Sequence, residues 1–161
     1  MMSRHGAAAA LLASVIVWAV PKYALNVGTV TPAAVSSGQN ITIPIVLDLS
    51  AATGADVGSL SFDLKWDAAK LSFVSGAPDA KSGFTLVDNR NNAAAGGVIR
   101  ASGFTVSGAT TTRTLYTLVL AAKKTAVKAT TVVAATVSVG GDGHGKNITI
   151  VPRNLTVNIA P

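Results

Sequence analysis

The sequence predicts an all-β protein, a two-sheet antiparallel sandwich of jelly-roll type, and three observations lead there. The composition is rich in Ala, Val and Thr, and every acidic side chain is an Asp because Glu is absent. β-Branched residues fit a pleated surface, whereas the wet faces of long helices draw on Glu, Leu and Lys. From Ala24 onward, short runs alternate apolar and polar side chains and are separated by turn-forming residues, the rhythm of a sandwich or barrel. No extended segment carries a helical period.

The 161 residues suit one domain. Residues 1–24 are expected to be a secretory signal peptide, with Arg4 and His5 as the basic lead and Ala7 to Val20 as the apolar stretch. That stretch falls short of the roughly 20 residues of a membrane-spanning helix, so no membrane span is expected in the mature chain. Cleavage after Ala19 puts Val17 and Ala19 at the small-residue positions; cleavage after Ala24 puts Lys22 at an unfavourable one. Residues 25–161 then form the domain, secreted or at the cell surface. The lack of Cys is compatible with export, because about 135 residues bury enough apolar surface to stand without disulfides.

Leu25 to Val30 reads as a first strand, followed by a break at Thr31-Pro32 and a turn at Ser36-Ser37-Gly38. Next, Ile41, Ile43, Ile45, Leu47 and Leu49 share one strand face, and Pro44, which cannot donate to a ladder, predicts an edge or a bulge. After a small-residue loop over 51–58, Leu60, Phe62, Leu64 and Trp66 point to the core, and Ser59, Ser61, Asp63 and Lys65 point away from it. A turn at 67–70 precedes Leu71 and Phe73, which resume the core pattern. Further strands are expected over Gly83 to Asp88, Gly97 to Ser102, Thr114 to Ala122, Thr130 to Val139, and Asn147 to Ile159 with an interruption near Pro152. The total is roughly nine strands, with a polar hairpin loop from Asn89 to Gly97.

The formal charge of +6 is scattered except at Lys123, Lys124 and Lys128, a cluster that reads as a solvated loop or strand edge. No aromatic residue interleaves with it to stack bases, so no nucleic-acid partner is expected. Asp67, at a strand exit, is expected to accept hydrogen bonds from its own turn. In the stretch from Gly140 to Asn147, Asp142 and His144 sit among glycines. Calcium takes six or more oxygen ligands and this stretch supplies two at most, so it reads as a hairpin turn, without metal or cofactor.

The expected mature chain has one His, no Cys and no Glu, which leaves little material for catalysis, and no enzyme is expected. A sugar platform needs a row of exposed rings. Trp66 and Phe62 fall on the core face, and only Tyr116, out of phase with Leu115, reads as exposed. Glycosylation sequons occur at Asn40, Asn147 and Asn154.

Several pieces together resemble the cohesin domain and its wider superfamily with cellulose-binding modules. They are Gly38-Gln39-Asn40-Ile41-Thr42-Ile43-Pro44-Ile45, then Ser61-Phe62-Asp63-Leu64-Lys65-Trp66-Asp67 with Leu71, and Gly97-Val98-Ile99-Arg100-Ala101. The run from Leu115 to Leu120 and the closing Asn154-Leu155-Thr156-Val157-Asn158-Ile159 complete them. The resemblance implies a jelly roll that binds a dockerin module on one flat sheet face, which includes the strands near Phe84 and Ile99. It places Ser59, Ser61, Asp63, Lys65 and Arg100 on that face. Dockerin-binding members carry Asn and Asp at the positions matching Ser59 and Ser61, and Ala68 stands here where the family often has Pro.

The expected function is therefore an exported, non-catalytic binding module with a dockerin-like or other extracellular protein partner, with extracellular polysaccharide degradation as its expected setting. A carbohydrate-binding module with a polysaccharide ligand, and a structural subunit of a surface layer or filament, are the alternatives.

Overall fold

Eleven strands and one helical turn form the chain in a computed structural model that describes residues 23–28, 33–90 and 93–161. In order they are β1 (Ala24–Val27), β2 (Ala33–Ser36), β3 (Asn40–Asp48), β4 (Val57–Lys65), β5 (Leu71–Pro78), β6 (Thr85–Asn89), α1 (Ala93–Gly96), β7 (Val98–Ala109), β8 (Arg113–Ala122), β9 (Ala129–Asp142), β10 (Val151–Arg153) and β11 (Leu155–Ala160). Two sheets result, one of five strands in the order β10-β1-β3-β8-β5 and one of six in the order β2-β11-β9-β4-β7-β6. Of the expected signal peptide, residues 1–24, residues 1–22 lie outside those described. Ala24 opens β1, is buried, and pairs with both Asp48 and Val151.

The sandwich agrees with the sequence reading, and its core is the alternate apolar set of each strand. Ile43, Ile45 and Leu47 from one sheet meet Leu60, Phe62, Leu64 and Ile99 from the other, all essentially inaccessible to water. Trp66 closes the core beside Phe73, with ring centroids 6.3 Å apart.

Three features differ from the expectation. The strands number eleven because each terminal segment splits: β1 and β10 lie in the five-stranded sheet, β2 and β11 in the six-stranded one. The turn read at Ser36-Ser37-Gly38 falls at Ser37-Gly38, closed by Gln39 N donating to Ser36 O at 3.0 Å, while Ser36 itself ends β2. The splitting also makes the sheets mixed, since β1 runs parallel to β10 and β2 parallel to β11. Finally, the segment read as a polar hairpin loop contains α1.

Pro44 lies on an interior strand, not an edge. Its carbonyl accepts from Gly28 N at 2.8 Å, so its missing donor faces the side where β1 has already ended at Val27. The register slips one residue further on, between Ile45 and Val46. Opposite that slip, Leu115 is the extra residue on β8, and both Leu115 and Tyr116 become buried. Tyr116, read as exposed, is therefore a core residue in phase with Leu118, Leu120 and Ala122. A second slip on β5 after Phe73 leaves Val74 outside and turns Gly76 inward.

Candidate functional site

The side chains of Ser59, Ser61, Asp63 and Lys65 line the outer face of β4, because Leu60, Phe62 and Leu64 alternate into the core. Flanking strands extend this face in register. One row runs Thr85–Phe104–Ser59–Gly141 across β6, β7, β4 and β9; the next runs Val87–Ser102–Ser61–Val139; the third runs Asn89–Arg100–Asp63–Thr136. Lys65 ends the face opposite Val98 and Ala134. All five residues predicted from sequence thus share one surface.

Asp63 and Arg100 are direct cross-strand partners joined by a two-pronged bond: Arg100 Nε to Asp63 Oδ1 at 2.7 Å and Nη2 to Oδ2 at 3.0 Å. The fork geometry of guanidinium and carboxylate explains the match. The Arg100 hydrogen bond, reinforced by its charge, holds the Asp63 carboxyl below the usual carboxylate range against a smaller opposing effect of burial. Both Asp63 oxygens are engaged, so what this pair presents outward is mainly guanidinium, which is 67% exposed against 14% for the carboxylate.

Beside this pair lies an apolar arc that the sequence reading missed. Phe104 is 57% exposed, Val87 71% and Val139 50%, and they surround the hydroxyls of Ser59, Ser61 and Ser102. Val106, almost fully exposed, continues the outer phase of β7 beyond Phe104. Phe104 and Val106 were legible by counting in twos from Arg100 through Ser102. Val139 was not, because the ladder skips Ser138 between Val137 and Val139, and the skip reverses the phase of β9.

The other singled-out residues serve turns. Asp67 Oδ1 accepts from Ala69 N at 2.8 Å. Asp142 Oδ1 accepts from Lys146 N at 2.7 Å and His144 N at 2.9 Å, and these backbone bonds, the former foremost, lower its carboxyl below the usual range. His144 Nδ1 lies 3.2 Å from Asp56 Oδ2 on an exposed loop. Among the described residues, no three His, Cys, Asp or Glu side chains converge as metal ligands, and no helix is long and apolar enough to cross a membrane.

A family model for the Cohesin domain matches residues 24–159. No curated protein matches the sequence significantly. Solved structures with the same fold include a non-cellulosomal cohesin from the hyperthermophilic archaeon Archaeoglobus fulgidus, at 15% identity and TM-score 0.69, covering 87% of this chain and 92% of that one. A type I cohesin from Pseudobacteroides cellulosolvens aligns at 14% identity and TM-score 0.68, covering 88% and 94%. A chain of a type I cohesin–dockerin complex from Clostridium thermocellum aligns at 15% identity and TM-score 0.68, covering 91% and 98%.

Proposed function

We propose that this chain, which belongs to the cohesin domain family, is an exported, non-catalytic attachment module that holds a dockerin-like protein on the outer face of β6, β7, β4 and β9. The observation that carries the reading is the arc of Phe104, Val87 and Val139 around small hydroxyl residues, with the Arg100 guanidinium at its border. Interface energy concentrates in a few aromatic and Arg anchors that neighbouring contacts seal from water. Ser59, Ser61 and Ser102 are short enough to let a partner approach the sheet, and each hydroxyl can donate or accept. Lys65 and the Asp63–Arg100 pair set the polar border.

A sugar-binding reading gains nothing from this face, where Phe104 is a single ring without a second to extend a stacking row. The extracellular role in polysaccharide degradation rests on family membership and on the basic and apolar N-terminal stretch.

Titration calorimetry against a panel of dockerin modules tests the proposal. The expected result is binding by the wild-type chain and a loss of about 2 kcal/mol, roughly thirtyfold in Kd, for Phe104→Ala. Unchanged affinity in both Phe104→Ala and Val139→Ala would remove this face from consideration.

A further inference from the structure

At the end of the sandwich where β8 and β11 finish and β5 and β9 begin, four lysines gather: Lys70, Lys123, Lys124 and Lys128. Asp67, 3.9 Å from Lys70 Nζ, is the acid that joins them. Lys70 Nζ also donates to Thr130 O at 2.9 Å. Lys123, Lys124 and Lys128 are exposed and have no carboxylate partner among the described residues.

The loop that carries them is held rather than loose. Lys123 N donates to Lys70 O at 2.8 Å, Thr125 N to Ser37 Oγ at 2.9 Å, and Thr125 Oγ1 to Val127 O at 2.8 Å. Two hollows meet at this loop. One, of about 180 Å³, is lined by Lys70, Lys123 and Lys124. The other, of about 440 Å³, has Lys128, Ser36 and Asn158 on its walls. Ala129 and Ile159 line both.

We infer that this end binds an acidic polysaccharide of the uronate class, separately from the protein-contact face. Fixed ammonium groups without carboxylate partners favour an anionic ligand. One exposed Lys–carboxylate contact contributes little, so useful affinity requires a chain that repeats its carboxylates and engages several lysines together. Ser36 and Asn158, both exposed, offer hydrogen bonds to sugar hydroxyls. A nucleic acid would want aromatic rings, and the two hollows hold none. A concave surface, with the exposed Val127 on the loop beside it, is a poor fit to a lipid bilayer.

Affinity electrophoresis of the whole chain in gels containing polygalacturonate, a neutral galactan, or single-stranded DNA, together with flotation on anionic phospholipid vesicles, tests the inference. The expected result is retardation by polygalacturonate alone, weakening as salt rises. The triple variant Lys123→Ala, Lys124→Ala, Lys128→Ala should weaken it at least tenfold with an unchanged Tm, whereas Phe104→Ala should leave it intact. Equal retardation by the galactan, stronger binding to DNA or vesicles than to polygalacturonate, or an unaffected triple variant would overturn it. Because the Phe104 and lysine variants report on different surfaces, failure of the protein-contact proposal leaves this outcome readable.

Discussion

Replacing Tyr116 by Phe should cost about 2 kcal/mol at neutral pH, and the structure assigns nearly all of that loss to one hydrogen bond. The ring is fully buried, and Phe fills nearly the same space, so packing changes little. The phenol donates to Asp88 Oδ2 at 2.6 Å, reaching from β8 in one sheet to β6 in the other. Asp88 is itself 6% exposed and keeps Arg90 Nε at 2.9 Å, while Arg90 Nη1 returns to Gly76 O at 2.8 Å. A hydrogen bond to a charged group is worth about 1.5–3 kcal/mol, and about 2 kcal/mol corresponds to about 7 °C in Tm for a domain of this size.

Alkaline pH supplies an internal control. Burial first, then the Asp88 hydrogen bond and charge, raises the Tyr116 hydroxyl well above its ordinary range. A group whose folded pKa is raised contributes stability that is complete below the unfolded value, near 10, and is lost as pH rises through the folded one. At pH 11 the unfolded phenol ionises while the folded one does not, which removes about 1.4 kcal/mol from the wild type and nothing from Tyr116→Phe. Urea unfolding of both proteins at pH 7 and pH 11 should show the gap shrink from about 2 to about 0.6 kcal/mol. A gap below about 0.5 kcal/mol at pH 7, or one unchanged at pH 11, would refute the reasoning.

Two further predictions concern the same end of the sandwich and the contact face. A Cβ at Gly76 would collide with the Tyr116 hydroxyl, so Gly76→Ala should cost about 1–3 kcal/mol by overpacking, read as a lower urea midpoint; an unchanged midpoint would mean that the ring has room to move. Arg100→Ala should return the Asp63 carboxyl toward the ordinary value near 3.9, read by a carbon-detected pH titration. The stabilisation from the lowered Asp63 is present above that ordinary range and disappears as pH falls through the folded value.

The period of two was enough to read the core of the long strands from sequence. Leu60, Phe62 and Leu64 are buried, Ser59, Ser61 and Asp63 face outward, and the Asp63–Arg100 juxtaposition follows from strands that pair in register. What escaped were events that break the period or have no period to read. The skips at Leu115, Val74 and Ser138 reverse which neighbours face inward, and they conceal the burial of Tyr116 and the exposure of Val139. Four-residue strands such as β1 and β2 are too short to show alternation, and nothing local specifies that they pair in parallel. The apolar arc was only half hidden, since Phe104 lies in phase with Arg100.

The proposed landing place of a protein partner is one surface, the outer face of the six-stranded sheet between β6 and β9. Amide and methyl chemical-shift mapping during titration with a binding dockerin module tests this most directly. The largest changes should fall on Val87, Phe104, Ser61 and Val139, with the outer faces of β3 and β8 unmoved. Saturable binding whose changes cluster instead on the five-stranded sheet, or at the Lys123–Lys128 loop, would contradict it.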